Sequence, residues 1–256
     1  MILYKYLTVE KAYDWLIGED SILLTPPIYL NDLLEFRVRR EPPDVNERRA
    51  LFEKFQIDTP SRLSYEEYER ETTKQEFLDR EPVELRELFS KTFGVISLSS
   101  DPVNELMWAH YGLNSGVAIG YLSNEIGENE VFRCSFMPLG DAIEVTYKDS
   151  VAPMKKDCSD AVTQLTRKRE CWRYEKEWRI VKRLAESREV RRNGKTFYCL
   201  PARPDTVVHV VFGANSSEDF IEKISAWLQP NTPILQKLQI DPNTQNLVPS
   251  DMKQTN

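Results

Sequence analysis

The sequence predicts an α+β fold, with a mixed or antiparallel central sheet, flanking helices and a helical insertion. Three observations carry this expectation. Strand-length apolar runs outnumber core helices and do not alternate with them strictly, which argues against a doubly wound parallel sheet. Only nine of the 256 residues are glycine, and no GxGxxG or GxxxxGK(S/T) pattern occurs, so the phosphate-cradling loops of Rossmann and P-loop folds are not expected. Residues 41–92 form a densely charged block with helical spacing, opened by Pro42-Pro43.

In chain order, Ile2–Tyr6 reads as a short strand. Thr8 then caps a helix carrying Ala12, Tyr13, Leu16 and Ile17 at helical spacing, stopped at Gly18. Ile22–Leu24 is a second strand, ended by Pro26-Pro27. Leu30-Asn31-Asp32 is a turn whose polar side chains can bond nearby backbone. Within the charged block, one helix is expected around Leu51, Phe52 and Phe55. A second is expected around Tyr65, Tyr68 and Phe77, and a third around Leu85, Leu88 and Phe89.

The apolar core resumes at the strand Phe93–Ser99. Asp101-Pro102 should start a helix, cap then proline, that carries Leu106, Met107 and Trp108 and closes at Gly112. Gly116–Tyr121, Val131–Phe136 and Ile143–Tyr147 read as strands, and 157–170 as helical. Glu177–Arg183 alternates as a strand. Asn193-Gly194 marks a tight hairpin returning through Phe197–Leu200. Val207–Phe212 is a buried strand, Ser216 or Ser217 caps a helix through Trp227, and Ile234–Ile240 follows as a strand. The organisation expected is one domain over 1–246, with the insertion at 41–92 and a frayed tail at 247–256.

Composition narrows the function classes. Cys134, Cys158, Cys171 and Cys199 make no CxxC pair, and His110 and His209 are far apart in sequence. No metal site is therefore expected, and the scattered thiols suit a reducing cytoplasm. No export signal is read at the start, and no apolar run approaches the ~20 residues that span a bilayer. Net charge is −7, yet Lys155 to Lys195 holds fourteen Lys/Arg against seven Asp/Glu. Such a stretch, with Trp172, Tyr174 and Trp178 interleaved, can bind nucleic acid or can be a solvated surface.

Three constellations can carry chemistry. In Met107-Trp108-Ala109-His110-Tyr111-Gly112, a helix end presents an imidazole and a phenol. In Tyr174-Glu175-Lys176-Glu177-Trp178-Arg179, an extended chain would point Glu175 and Glu177 to one face. Two such carboxylates need basic partners if structural, or can stabilise an oxocarbenium-like centre. Near the start, Lys5 alternates with Tyr4 and Tyr6, and its ammonium can meet a pyrophosphate or pair with Asp32 or Glu35. Core packing of the aromatics and simple ion pairing of the charges is the competing reading of all three.

Tyr4-Lys5-Tyr6, Leu30-Asn31-Asp32, Ser97-Leu98-Ser99, Met107–Gly112, Tyr174–Arg179 and Val210-Val211-Phe212-Gly213 occur in this order. In that series the chain resembles an uncharacterised bacterial family, number 2971 among the domains of unknown function. Ser115 stands where that family usually has a second histidine. The layout also resembles ADP-ribosyltransferases, which implies NAD as substrate and no metal. By that resemblance Glu177 would hold the ribose hydroxyl and Glu175 would position the acceptor. His110 and Tyr111 would contact the nicotinamide end. Lys5 or Tyr6 would take the N-terminal role, and Asn31, Asp32, Ser99, Trp108 and Arg179 would complete the binding site. Replacing Glu177 by Gln should then abolish activity with little effect on folding. Three functions follow as expectations: an NAD-consuming ADP-ribosyltransferase-like defence or toxin effector with a nucleic-acid or protein acceptor, a nucleic-acid-binding or processing module of antiphage defence, or a non-catalytic interaction or sensor protein.

Overall fold

The computed structural model describes residues 1–59, 61–122, 142–150, 152–155 and 159–252. The expected strand Val131–Phe136 lies outside them, as do Cys134 and Cys158. The strands are β1 (Ile2–Leu7), β2 (Ser21–Leu24), β3 (Phe93–Ser99), β4 (Val117–Leu122), β5 (Ile143–Glu144), β6 (Thr146–Tyr147), β7 (Arg167–Lys168), β8 (Glu177–Arg183), β9 (Arg188–Arg192), β10 (Lys195–Pro201), β11 (Val207–Phe212), β12 (Ile234–Ile240) and β13 (Leu247–Asp251). The α-helices are α1 (Val9–Lys11), α2 (Val45–Asp58), α3 (Tyr65–Thr72), α4 (Gln75–Ser90), α5 (Glu105–Met107), α6 (Ala161–Leu165) and α7 (Glu218–Leu228).

The fold is mixed α+β, as the sequence predicts. Among the described residues, eight strands form one mixed sheet in the order β13-β12-β11-β4-β1-β3-β8-β5. Only β11 and β12 run parallel, joined through α7, and every other pair in it is antiparallel. A second sheet, β2-β10-β9, meets the first where Thr25 bridges to Val95.

Burial divides along the strand period of two. Leu3 and Leu7 of β1 enter a core shared with Ile119, Ile180, Val210 and the apolar stripe Phe220, Ile221, Ile224 and Leu228 of α7. Tyr4 and Tyr6 enter another cluster with Met107, Trp108 and Val211. The expected caps at Thr8 and Ser217 are made, each side chain accepting from a first-turn amide. Asn193 and Gly194 take φ of 50° and 73°, the left-handed values that a two-residue hairpin turn requires.

Several expectations are corrected. The helix after β3 is capped by Asn104, which accepts from Met107 N at 3.1 Å. Asp101 closes a turn one step earlier by accepting from Val103 N at 3.0 Å. Of 157–170, only α6 is an α-helix among the described residues. Thr166 bonds back to the carbonyl of Val162, and the chain then leaves to pair β7 with β6. The tail is not frayed through 251, because β13 pairs along β12 and covers what would be an open sheet edge. Position 77 belongs to the third helix of the charged block, α4, not the second.

The charged block is helical, and its last helix, α4, is part of the core. Its Leu85 and Phe89 are buried with Phe36, Val38 and Val95. Its Arg86 is buried and donates to the carbonyls of Pro27 at 3.1 Å, Asp32 at 3.2 Å and Leu33 at 2.6 Å. That one guanidinium fixes the turn that carries Asn31 and Asp32. Replacing Arg86 by Met keeps the stem and leaves these carbonyls without their donor. We expect a loss of about 3 kcal/mol in urea unfolding. A change within experimental error would contradict this role.

Candidate functional site

The site is built where β1, β3 and β8 lie side by side. Tyr4 registers with Ser99, and Ser99 with Glu177, so the three strands align a row across the sheet. The Glu-x-Glu segment is not extended at its first member. Glu170–Glu175 forms a 3-10 turn, Lys176 adopts a left-handed φ of 45°, and β8 begins at Glu177. Ser99 Oγ donates to the carbonyl of Glu175 at 2.7 Å, and Asn104 Nδ2 to that of Tyr174 at 2.9 Å. The two carboxylates therefore converge as expected, through a reversal of the chain and not through strand alternation.

Their partners form one buried chain of alternating charge. Arg179 Nε donates to Glu177 Oε1 at 2.8 Å and Nη2 to Oε2 at 3.0 Å, a forked pair. Arg179 also binds Glu35 and donates to the carbonyl of Leu165 at 2.6 Å. Lys168 Nζ donates to Glu177 Oε2 at 3.0 Å and also binds Glu175. Tyr111 OH donates to Glu175 Oε1 at 2.6 Å and is itself held by Asn31 Nδ2. Glu35, Lys168, Glu175, Glu177 and Arg179 are each under a tenth exposed.

Burial by itself would raise the Glu177 carboxyl, but Arg179 and Lys168 outweigh it and hold the group well below the usual carboxylate range. Glu175 goes the other way. Burial raises it, the repulsion of Glu177 adds to this, and Lys168 compensates only in part. Glu35 is likewise raised by burial despite Arg179. Burial lowers Lys168, yet Glu177, Glu35 and Glu175 bring it above an ordinary lysine. Two carboxyls separated by one residue are thus driven apart, one firmly ionised and one more easily protonated.

This chain ends at a cleft of about 230 Å³. For comparison, a cavity of ~150 Å³ accommodates a benzene ring. Of the residues singled out from sequence, Lys5, Tyr6, Asn31, Ser99, Tyr111, Glu175 and Glu177 line it. Four do not. His110 is exposed and meets Tyr174 OH through Nδ1 at 3.2 Å. Trp108 is fully buried and donates to the carbonyl of Pro102, a core role. Arg179 stands behind Glu177. Asp32 braces the site from the side, accepting from Arg169 Nε at 3.2 Å and Trp172 Nε1 at 2.9 Å. Ser115 is not among the lining residues, and its carbonyl accepts from Ser216 Oγ.

Lys5 pairs with neither Asp32 nor Glu35, since Nζ donates to the carbonyl of Ser97 at 3.1 Å. Sequence reasoning missed Lys168. It sits in Arg167-Lys168-Arg169, which reads as a solvated charge run. The signal available was the demand of two neighbouring carboxylates for a buried cation. Eight of the fourteen cations of the surrounding basic stretch are also paired among the described residues. Lys168, Arg169, Arg173, Lys176, Arg179, Lys182, Arg188 and Arg192 all have carboxylate partners. Among the described residues no cluster of three or more His, Cys, Asp or Glu could hold a metal, and no helix is long and apolar enough to cross a membrane.

The site makes a folding prediction that differs from the sequence reading. Glu177→Gln leaves Lys168 and Arg179 under-compensated, so it should cost about 3–5 kcal/mol at neutral pH. Because the folded-state value of Glu177 is depressed, its contribution is complete above 4.5, the ordinary glutamate value, and is lost as pH falls below it. The gap between wild type and variant in urea unfolding should therefore narrow progressively below that pH. A gap of constant size would contradict the assignment. Glu35 and Glu175 act with the opposite sign, since their raised carboxyls favour the fold at low pH and lose that contribution as pH rises through them.

No curated protein and no solved structure matches the chain. Residues 107–180 match a family model described as "Protein of unknown function (DUF2971)". The match includes Tyr111, Lys168, Glu175 and Glu177, four of the residues that the site brings together. Over this segment the chain resembles the DUF2971 family.

Proposed function

We propose that the protein is an enzyme that cleaves the nicotinamide–ribose bond of NAD, in the manner of ADP-ribosyltransferases. The observation that carries this reading is the convergence of Lys5, Ser99, Tyr111, Glu175 and Glu177 on one cleft from β1, β3, the turn at Gly112 and the start of β8. Behind the cleft, Glu35, Glu175 and Glu177 form salt bridges, among the described residues, with two cations, Lys168 and Arg179. With all of them ionised, the cluster is one charge negative. The neighbouring Glu175 and Glu177 carboxyls suit a substrate whose reacting end is a cationic pyridinium and whose transition state is an oxocarbenium-like ribose.

In this reading the work is divided differently from the sequence resemblance. Glu177 is the fixed anion, its oxygens already engaged by Arg179 and Lys168. Glu175 is the adjustable carboxyl that can orient the attacking water or acceptor and take its proton. Tyr111, which donates to Glu175, offers a flat face beside it for the leaving nicotinamide. The acceptor proposed is water, or a protein or nucleic acid. Consumption of NAD in the cell would make the protein a defence or toxin effector. A pure nucleic-acid-binding role is less favoured, because eight cations of the basic stretch have carboxylate partners.

The test is nicotinamide release from labelled NAD, alone and with protein or nucleic-acid acceptors. Glu175→Gln keeps the side-chain shape, but both Glu175 oxygens accept, from Tyr111 and Lys168, so the two proteins are compared at a temperature where circular dichroism shows both folded. Turnover by the variant should fall there by roughly 10²–10⁴, the usual worth of a general acid or base. Tyr111→Phe should fall less. Wild-type release by Glu175→Gln, or no release by the wild type with any acceptor, would overturn the reading.

A further inference from the structure

Two lysines line the cleft floor in opposite electrostatic surroundings. Lys168 is clamped between Glu175 and Glu177 and is fixed as an ammonium. Lys5 projects from the middle of β1, half-buried, and makes no ion pair among the described residues. Its hydrogen bond runs to a neutral carbonyl, that of Ser97. Lys11, from α1, lines the same cleft as an exposed second cation, also without an ion pair among the described residues. We propose that Lys5 is an amine nucleophile that forms an imine with an aldehyde or ketone bearing an anionic group. This goes beyond NAD cleavage and does not depend on it.

The chemistry balances without an oxidant or a metal. The Nζ lone pair attacks the carbonyl carbon, a C–N bond forms, and the carbonyl oxygen takes up a proton to give a carbinolamine. Loss of water then leaves the imine. Glu175, the cleft acid whose carboxyl is raised by burial, is suited to protonate the departing hydroxyl. The amine must be partly neutral for this. Burial, followed by the repulsion of Lys11, brings Lys5 down to about 8, with Glu177 opposing. Of the other ionisable cleft groups, Lys168 and Glu175 bind one another, Tyr111 is bound to Glu175, Tyr4 OH meets His209 Nδ1, Tyr6 OH donates to the carbonyl of Asp101, and Tyr29 is exposed. Lys11, at the end of α1, is placed to meet the anionic group of the ligand. The open-chain aldehyde of a ribose phosphate is one ligand of this class.

The experiment uses the full chain, ribose 5-phosphate as the probe and cyanoborohydride to trap the imine as a secondary amine. Peptide mapping by mass spectrometry reads the adduct at each lysine, with exposed lysines such as Lys54 and Lys91 as internal standards. An amine lowered from 10.5 to about 8 has roughly 300-fold more neutral form at pH 7. The lower nucleophilicity of a less basic amine reduces this gain, so labelling of Lys5 at least about tenfold above the standards is expected. Its rate should level off above about pH 8, while the exposed lysines continue to rise. Lys5→Arg should remove this adduct alone, and Lys11→Gln should weaken trapping of ribose 5-phosphate more than trapping of uncharged glyceraldehyde. Labelling of Lys5 no greater than that of exposed lysines, or rates that rise in parallel with theirs, would overturn the proposal. Neither readout uses NAD, so a negative result here leaves the nicotinamide-release experiment to stand or fall separately.

Discussion

The forked pair between Arg179 and Glu177 is the interaction on which the rest of this site depends. Both side chains are almost fully removed from water, at 1% and 3% exposure, and neither could stay ionised there alone. Each therefore recruits a further opposite charge, Glu35 for Arg179 and Lys168 for Glu177. Lys168 in turn draws in Glu175, whose carboxylate reaches the cleft and meets Tyr111. The turn carrying Asn31, the 3-10 segment before β8 and the helix ending at Gly112 are all tied to this chain of charges. A structure that served stability alone would gain little from such a cluster, since well-packed apolar side chains of the same volume are often at least as stabilising. The retained charges are thus best understood through the cleft they face.

The cluster also explains how near-identical groups acquire different chemistry. Glu175 and Glu177 are separated by a single residue, yet one is held by a guanidinium fork and the other shares one ammonium and a phenol. Their protonation equilibria move in opposite directions for that reason. Lys5 and Lys168 show the same divergence among cations, one lowered by burial and a like charge, the other raised by three carboxylates. A cleft that holds a fixed anion, an adjustable acid, a fixed cation and an adjustable amine within one wall is equipped for proton transfer as well as binding.

Much of the scaffold was legible because it rests on local rules. β3 reads from its continuous apolar run, the β9–β10 hairpin from Asn193-Gly194, and α7 from Ser217 and its apolar stripe. The elements that misled depend on long-range contacts. Leu247–Asp251 looks like a polar tail until β12 offers an edge. Arg167–Lys168 looks helical until β6 pairs with it. Asp101-Pro102 has the form of a helix start, but Asn104 wins because the bend made by Asp101 comes first. In the site, the types of residue were legible and their roles were not. Glu175, Glu177 and Tyr111 come together as their motifs suggest, whereas His110 and Trp108, from the same motif as Tyr111, turn to the surface and the core. Lys168 and Arg86 carry no local signal at all, since their importance lies in carbonyls and carboxylates distant in sequence.

The most direct test is a carboxyl carbon NMR titration of Glu175 and Glu177, each assigned through its Gln variant. If the alternating cluster governs the site, Glu177 stays ionised well below the ordinary glutamate range while Glu175 takes up its proton above it. If both titrate together near 4.5, the ordinary glutamate value, they are not held as described, and the division into a fixed anion and an adjustable acid fails.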